Sequence, residues 1–360
     1  MQMLIGSYSI LSPWAGAPSA HGAGIVAASL HAQTGMRDQY PARFEVNPSF
    51  LALDEGGRHV WAITEPERGG ELLRFPLTAD GVLADGDPAR IATGADAPCH
   101  VALGPGVALV SHYHGGVVSV VVRDALGAPD RVAQLISLPA AGEGWNRSGA
   151  VSRPHAAMFL PGGEAFVVAD CGRDLVVLYG WDRAIGRAEL LHALPLAEGS
   201  GPRHLAWHAG SSTILVSNQE SGGVTVLRVA GLGGAGTDGG TEPLELRVRQ
   251  VLSGAGIGRD RTVPSEIAVH PGGEYAVLAN RRDDSLTVYG IGSDGTLAEL
   301  GSYDAGGCNP RHFAFAPDGS ALVVAQQDSD ELTVFRWAAD RPVDPVPIAV
   351  ATPTAVLFVP

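Results

Sequence analysis

The sequence has little of what marks a secreted, zinc-binding or nucleic-acid-binding protein. Its 360 residues include three cysteines, Cys99, Cys171 and Cys308, with no C-x-x-C pair, so neither a disulfide framework nor a zinc site is indicated. Acidic residues outnumber basic ones by 38 to 24, and the net charge is −14. Because phosphate backbones require a basic face, no nucleic-acid partner is predicted. A small anionic ligand stays open, since a local arginine cluster can bind one.

Targeting signals are also scarce. The N-terminal segment MQMLIGSYSILSPWAG has no basic residues ahead of an apolar core, so no secretory signal is predicted. No apolar run reaches the roughly 18 residues that span a membrane. A few unpatterned cysteines fit a reducing compartment. We therefore expect a cytoplasmic protein without a membrane partner, and the sequence gives no indication of oligomeric state.

Long helical periodicity is missing, whereas turn residues are abundant. The chain holds 48 glycines and 25 prolines, a composition typical of short strands joined by tight turns. The stretch from 201 to 229 shows the pattern clearly. Apolar and polar residues alternate over His204–His208, Thr213–Asn218 and Val224–Val229, with Gly- and Ser-rich breaks between them. This alternation predicts three half-buried antiparallel strands.

The same pattern occurs six times along the chain. Each copy begins at a proline, and successive prolines are 46 to 62 residues apart. The six prolines are Pro48, Pro98, Pro154, Pro202, Pro264 and Pro310. A period near 50 residues, with a less regular fourth strand after each three, is the period of a β-propeller blade.

The two ends of the chain supply one further blade. Residues 3–7 and 24–31 are strand-like, and residues 355–359 form a short apolar strand near the C-terminus. Closing the ring with strands from both ends removes an open sheet edge. The sequence therefore predicts an all-β, seven-bladed β-propeller that forms a single domain over residues 1–360. A Gly-rich insertion at about 230–241 is expected to be a surface excursion.

Propeller topology brings many arginines, histidines and carboxylates to one mouth of the central channel. The loop before the innermost strand and the loop after the second strand lie on the same face of the ring. Residues at these two places are therefore expected to converge. The first set includes His100, His155, Arg203, His204, Arg311 and His312, and the second includes Glu65, Tyr113, Asp170, Gln219, Glu220 and Arg281.

This collection of side chains suits the hydrolysis of an anionic ester or lactone. Arginine forks bind carboxylate or phosphate and stabilise a developing oxyanion, and histidine activates water near neutral pH. No Gly-x-Ser-x-Gly motif is present, which argues against a serine hydrolase. The carboxylates lack metal-ligand spacing, so no metal or cofactor is predicted. Cys99 and Cys308 lie near the mouth, and we expect each to be a small buried hydrophobic residue.

The repeated motifs resemble those of the bacterial 6-phosphogluconolactonases of the seven-bladed lactonase type, and the similar fungal carboxy-muconate lactonising enzyme shares the scaffold. The resemblance covers nearly the whole chain. Its motifs are Ile5-Gly6-Ser7-Tyr8, Asn47-Pro48-Ser49-Phe50, Pro98-Cys99-His100, Pro154-His155, Gly201-Pro202-Arg203-His204, Asn280-Arg281 and Asn309-Pro310-Arg311. It implies a lactone substrate, with 6-phosphogluconolactone of the pentose phosphate pathway expected first.

The resemblance also implies roles for individual residues. The family's histidine falls on His155, and its two arginines fall on Arg203 and Arg281. Where the family usually has Asn-Glu, this sequence has Asn-Gln219 followed by Glu220, and a glutamine cannot act as an acid or base.

The expected substrate-binding set, taken from the residues at the mouth, contains His100, Tyr113, Asp170, His204, Arg311 and His312. Three alternatives stay open. One is a related lactonase or lactonising enzyme for another carboxylated lactone, and another is a non-catalytic propeller that binds a protein partner. A metal-dependent sugar lactonase is the weaker third.

Overall fold

The computed structural model describes residues 1–31, 35–39, 43–139, 150–232, 243–253 and 262–360. These residues form seven antiparallel sheets of four strands each, which confirms the predicted seven-bladed propeller. The loop around 139–152 and the Gly-rich insertion fall largely outside the described residues. No helix in the described part of the chain is long and apolar enough to cross a membrane.

Six of the sheets follow the chain in order. Blade 1 contains β4 (Leu51–Leu53), β5 (His59–Ile63), β6 (Glu71–Pro76) and β7 (Ala89–Ala92). Blade 2 contains β8 (Pro98–Gly104), β9 (Val107–His112), β10 (Val117–Arg123) and β11 (Pro129–Ser137). Blade 3 contains β12 (Pro154–Phe159), β13 (Ala165–Asp170), β14 (Leu175–Asp182) and β15 (Arg187–Pro195).

The next three blades repeat this arrangement. Blade 4 contains β16 (Pro202–His208), β17 (Thr213–Asn218), β18 (Gly223–Ala230) and β19 (Glu245–Ser253). Blade 5 contains β20 (Pro264–Val269), β21 (Tyr275–Asn280), β22 (Ser285–Ile291) and β23 (Leu297–Asp304). Blade 6 contains β24 (Pro310–Phe315), β25 (Ala321–Gln326), β26 (Glu331–Ala338) and β27 (Arg341–Ala349).

The closing blade joins the two ends of the chain. It contains β1 (Gln2–Ser7), β2 (Val26–His31), β3 (Gly35–Gln39) and β28 (Pro353–Val359), in the order β28-β1-β2-β3. The N-terminus therefore contributes three strands, one more than the sequence suggested. The C-terminal strand is innermost and pairs with β1 in a register that sets Gln2 opposite Val359. A 3₁₀ turn, Pro13–Ala15, lies in the loop between β1 and β2.

Among the described residues, seven hydrophobic clusters each lie between two neighbouring blades. A small eighth cluster joins Tyr8 to Ala17 and Ala20 of the loop between β1 and β2. The innermost strands contact one another in a closed ring around the channel, from β4 through β8 and on to β28. Both faces of each sheet are thus covered by other sheets, and this explains the near-continuous apolar runs of the second and third strands, such as Val107–Val110. The ring fixes the positions of the inner-strand residues.

Each of the six inner strands that begin at a proline has a register shift directly after that proline. The shift lies between Pro154 and Ala156 in blade 3, and between Pro202 and Leu205 in blade 4, with equivalents in blades 2, 5 and 6 and in the closing blade. A bulge redirects side chains that strict alternation would send to opposite faces. Consecutive residues such as Arg203 and His204 therefore both face the channel side.

Aspartates in the second hairpins of blades 3, 5 and 6 tie each of these blades to the next one. Asp174 accepts hydrogen bonds from the backbone N–H groups of Gly199 and Gly201 at 2.9 and 2.7 Å. Asp284 accepts one from Asn309 at 2.7 Å, and Asp330 holds the loop before β28 in the same way. All three aspartates have positive φ, a conformation that aspartate tolerates better than most residues. These contacts fix the loops that lead into the inner strands.

Candidate functional site

A small pocket lies at one mouth of the channel. Its walls come from the starts of the inner strands of blades 2, 3, 4, 6 and the closing blade, from the residues just before β4, and from the loop after β5. The lining residues are Ser49, Phe50, Glu65, Cys99, His155, Arg203, His204, Arg311, His312 and Thr354. Six residues that the sequence predicts to converge at the mouth therefore meet in one pocket: Glu65, His155, Arg203, His204, Arg311 and His312.

Arg203 is the least compensated charge in this pocket. Its side chain is buried, and within the described residues its Nε and Nη1 atoms have no hydrogen-bond partner. Burial, followed by the charge of Arg311, lowers the pKa of Arg203 to about 10, so the group stays cationic at neutral pH. A buried guanidinium with unpartnered N–H groups can bind an anion, because a ligand carboxylate or oxyanion would supply the missing hydrogen-bond acceptors.

Arg281 approaches the pocket from blade 5 and contacts Gln219. Its Nη2 donates to the Gln219 Oε1 at 2.7 Å, and the Gln219 Nε2 donates to the exposed Glu220 at 2.9 Å. Burial, then the charges of Arg203 and Arg311, holds the pKa of Arg281 well below its usual value. The amide of Gln219 therefore bridges a guanidinium and a carboxylate, and Glu220 reaches the arginine only through it.

His155 is buried at the start of β12 with an unpartnered Nδ1. Its ring centroid lies 5.1 Å from that of His204 and 5.5 Å from that of Tyr113. Burial, followed by the charge of Arg203, holds the pKa of His155 well below its ordinary range. The imidazole is therefore neutral at physiological pH and can accept a proton.

A hydrogen-bonded chain that the sequence did not predict crosses the other side of the pocket. The Nη2 of Arg311 donates to the Tyr8 hydroxyl at 2.6 Å, and that hydroxyl donates to the Glu65 Oε2 at 3.0 Å. Tyr8 and Glu65 are both buried. Burial raises the pKa of Glu65, and the Arg311 charge opposes the rise. Tyr8 belongs to the closing blade, outside the six repeats, so the repeat pattern gave no signal for it.

Glu266 joins two of the histidines that line the pocket. Glu266 Oε2 contacts His204 Nδ1 at 2.8 Å and His312 Nε2 at 3.2 Å. His100 packs against Phe50, with ring centroids 4.2 Å apart, and is not among the residues that line the pocket. Burial lowers the pKa of His312 to about 4, so this group of side chains is a hydrogen-bonded platform of largely neutral rings. Within the described residues, no group of three or more metal-binding side chains is close enough to hold an ion.

Two other residues of the predicted site have different surroundings. The Asp170 carboxylate is buried and accepts hydrogen bonds from the backbone of Arg153, Gly172 and Arg173 and from the Ser152 hydroxyl, at 2.7 to 3.2 Å. It therefore stabilises its own loop. The Tyr113 hydroxyl accepts a hydrogen bond from Arg153 at 3.3 Å at the edge of the site.

The cysteines separate into two groups. Cys99 is buried, as expected, and burial raises the pKa of its thiol. Cys308 is exposed, so the prediction of a buried residue was wrong there, because the residue lies in the loop before β24 and not within the strand.

The loop between β1 and β2 forms a strap across the mouth. We call residues 12–16 the strap. Its backbone carbonyl groups accept hydrogen bonds from three side chains of blades 2 and 6. The donors are His114 to Trp14 at 3.2 Å, Arg311 to Ala15 at 3.4 Å and Gln327 to Gly16 at 3.0 Å. The strap therefore narrows the entrance on the side of Arg311.

The ring and the pocket together define a class of protein: a seven-bladed propeller with a buried cationic site at its channel mouth. Comparison with known proteins narrows this class. A family model described as "Lactonase, 7-bladed beta-propeller" matches residues 2–358. The chain belongs to this lactonase family, as the sequence motifs indicated.

Individual relatives are distant. The 6-phosphogluconolactonase of Bacillus subtilis is 24% identical over 294 residues, covering 80% of each chain. An uncharacterized protein of Lactococcus lactis (strain IL1403) is 27% identical over 303 residues, again with 80% of each chain covered. The structure of the periplasmic gluconolactonase PpgL of Pseudomonas aeruginosa superposes with a TM-score of 0.85 at 22% identity, covering 100% of this chain and 99% of that one. That likeness shows the shared fold.

Proposed function

We propose that the protein hydrolyses an anionic sugar lactone, with 6-phosphogluconolactone as the substrate to test first. The observation that carries this proposal is the meeting of Arg203 and Arg311 with the neutral His155 in one pocket of an otherwise acidic protein. Arg281 lies close enough for its charge to lower the pKa of His155 as well. Family membership and the name of the Bacillus subtilis relative support the same chemistry.

The proposed reaction uses these side chains in separate roles. His155 accepts a proton from the attacking water, because its neutral imidazole lies in the pocket wall. Arg203 faces the carbonyl oxygen as negative charge develops there, a contribution of the oxyanion-hole kind. Arg281 and Arg311 bind the anionic group of the substrate, assisted by His312 and, at the edge, Tyr113.

The amide of Gln219 leaves the choice of lactone open to a second candidate. In place of a carboxylate, Arg281 meets a neutral acceptor at 2.7 Å, so more of its charge is available to the substrate. This arrangement favours a substrate whose carboxylate or phosphate reaches Arg281. A carboxylated lactone without phosphate is therefore the second candidate.

The test is hydrolysis of freshly generated 6-phosphogluconolactone by the purified protein, with and without a chelator. The product is followed through 6-phosphogluconate dehydrogenase against spontaneous decay of the lactone. We expect a rate well above that decay and insensitive to the chelator. No acceleration on this lactone, with hydrolysis of an unphosphorylated carboxylated lactone, would support the second candidate, and no acceleration on either would refute the proposal.

We also propose a cytoplasmic location, on the basis of the few unpaired cysteines. Cell fractionation with an antibody against the protein tests this, and recovery in an extracytoplasmic fraction would refute it.

A further inference from the structure

The pocket contains one carboxylate among its described lining residues, and that residue has no role in the reaction proposed above. It is Glu65, which is 4% exposed and lies in the loop just after β5. Gln219 cannot transfer a proton. Glu220 is exposed and reaches the site only through the Gln219 amide. Opening a lactone ring places a proton on the departing ring oxygen, and Glu65 is a candidate donor that shares the pocket with His155.

We propose that Glu65 is the general acid that protonates the ring oxygen of the lactone, with Tyr8 as its positioning residue. This inference rests on the proposed lactonase function. Glu65 shares the pocket wall with His155 and Arg203, which places an acid and a base around one space. The Tyr8 hydroxyl, itself held by Arg311, fixes the Oε2 atom of the carboxyl group.

The proton balance of the step is complete. His155 takes a proton from the water as the water oxygen bonds to the carbonyl carbon, and the carbonyl electron pair moves onto the oxygen beside Arg203. When the carbonyl re-forms, the bond from that carbon to the ring oxygen breaks, and its electron pair takes the proton from Glu65. The proton on His155 then restores Glu65 through solvent, and the product acid releases its own proton to solvent.

The surroundings of Glu65 and His155 agree with the roles of acid and base, respectively. Burial raises the pKa of Glu65, whereas burial and Arg203 lower the pKa of His155. Titratable pairs whose environments move their pKa values apart are the usual acid and base of a site. The charged or titratable groups around Glu65 are Arg311, Tyr8, His114 and Cys99. Arg311, Tyr8 and His114 lower its pKa, but burial is the largest effect.

The test compares Glu65→Gln with wild type and with Glu71→Gln. Glu71 lies on the neighbouring strand of the same blade and pairs with Arg90 at the surface. We expect Glu65→Gln to lower kcat by about 10²-fold with KM within threefold of wild type, the loss typical of a missing proton donor. Glu71→Gln should match wild type. A Glu65→Gln kcat within threefold of wild type, or a loss carried by KM alone, would overturn the proposal.

The pH profile and a second variant keep the test independent of folding. Because Glu65 must be protonated to act, kcat/KM of wild type should fall as the pH rises through the pKa of Glu65, and the residual activity of Glu65→Gln should lack this fall. If Glu65→Gln does not fold, Tyr8→Phe replaces it. The Tyr8 hydrogen bond lowers the pKa of Glu65, so Tyr8→Phe should move the alkaline fall to higher pH.

An unmoved alkaline fall in Tyr8→Phe, or the same fall in Glu65→Gln as in wild type, would overturn the role of Glu65 while leaving the lactonase function intact. A wild-type protein without activity on any lactone would overturn both.

Discussion

Replacing Arg203 with methionine should make the protein more stable and less active. Arg203 is 3% exposed, and no partner within the described residues meets its Nε or Nη1. Its pKa falls from 12.5 to about 10 on folding. At about 1.36 kcal/mol per pKa unit, keeping this side chain charged in the folded protein costs about 3 kcal/mol.

The sign follows from linkage. A cation whose pKa is lower in the folded state destabilises that state at every pH below the folded pKa, so the full cost is present at pH 7. Methionine has a similar length and no charge to bury, and replacing unpaired buried charge with apolar volume is often stabilising. We expect Arg203→Met to raise the free energy of unfolding by about 1–3 kcal/mol, after allowing for imperfect packing of the new side chain.

The assay is equilibrium urea denaturation together with lactone hydrolysis. kcat/KM should fall on the order of 10²-fold, because the charge beside the developing oxyanion is lost. The matched control is Arg336→Met, which removes an exposed guanidinium paired with Asp344. That change should leave activity unaltered and shift stability by less than about 1 kcal/mol. An Arg203→Met protein less stable than wild type by 1 kcal/mol or more would refute the reasoning.

Three further predictions concern the base, the amide and the closing blade. If neutral His155 is the base, activity should persist as the pH falls to 6, because the pKa of His155 is held well below 6.5; a loss of activity centred near pH 6.5 would contradict this pH dependence. The variant His155→Asn should lower kcat by about 10²-fold or more. Gln219→Glu places a second carboxylate beside Glu220, so binding of an anionic lactone should weaken, seen as a higher KM; an unchanged KM would count against substrate contact there. Gly6→Ala should lower Tm, because the added Cβ would lie 2.1 Å from the carbonyl oxygen of Pro48, which leads into blade 1. In the control Gly56→Ala the added Cβ meets nothing closer than 4.0 Å, so Tm should not change; equal Tm values for the two variants would disprove the clash.

The sequence was sufficient for the architecture because the same physics recurs in every blade. Five prolines predicted as anchors, from Pro98 to Pro310, each open an innermost strand in the structure. A proline has no N–H to donate and suits the first residue of a strand. His155, Arg203 and Arg311 follow such prolines directly, so topology alone predicted that they meet at the mouth.

Other parts of the site depend on features without a sequence period. Tyr8 enters from the closing blade, whose strands come from both ends of the chain. The bulges after the prolines let neighbours such as Arg203 and His204 face one space, which strict alternation does not predict. Asp170 has the residue type expected of a ligand-binding group, but its hydrogen bonds go to its own loop, and only atomic contacts reveal that use.

A repeated hydrogen bond shows why the last residue of the second strand can differ between blades without changing the fold. His112, Asn218, Asn280 and Gln326 each end a second strand and contact a hydroxyl group seven residues further along, at 2.9 to 3.2 Å. Any side chain that can reach this hydroxyl satisfies the hairpin. His112 therefore has in blade 2 the role that asparagine has in blades 4 and 5.

The pairing of β28 with β1 also sets the order in which the protein can mature during synthesis. Residues 2–7 are synthesised before their inner partner, residues 353–359. Until that partner is available, Met3, Leu4 and Ile5, which are fully buried in the closed ring, have an open strand edge. Tyr8 directly follows β1 and contacts Arg311 of blade 6, so we expect the site to be complete only once the ring has closed.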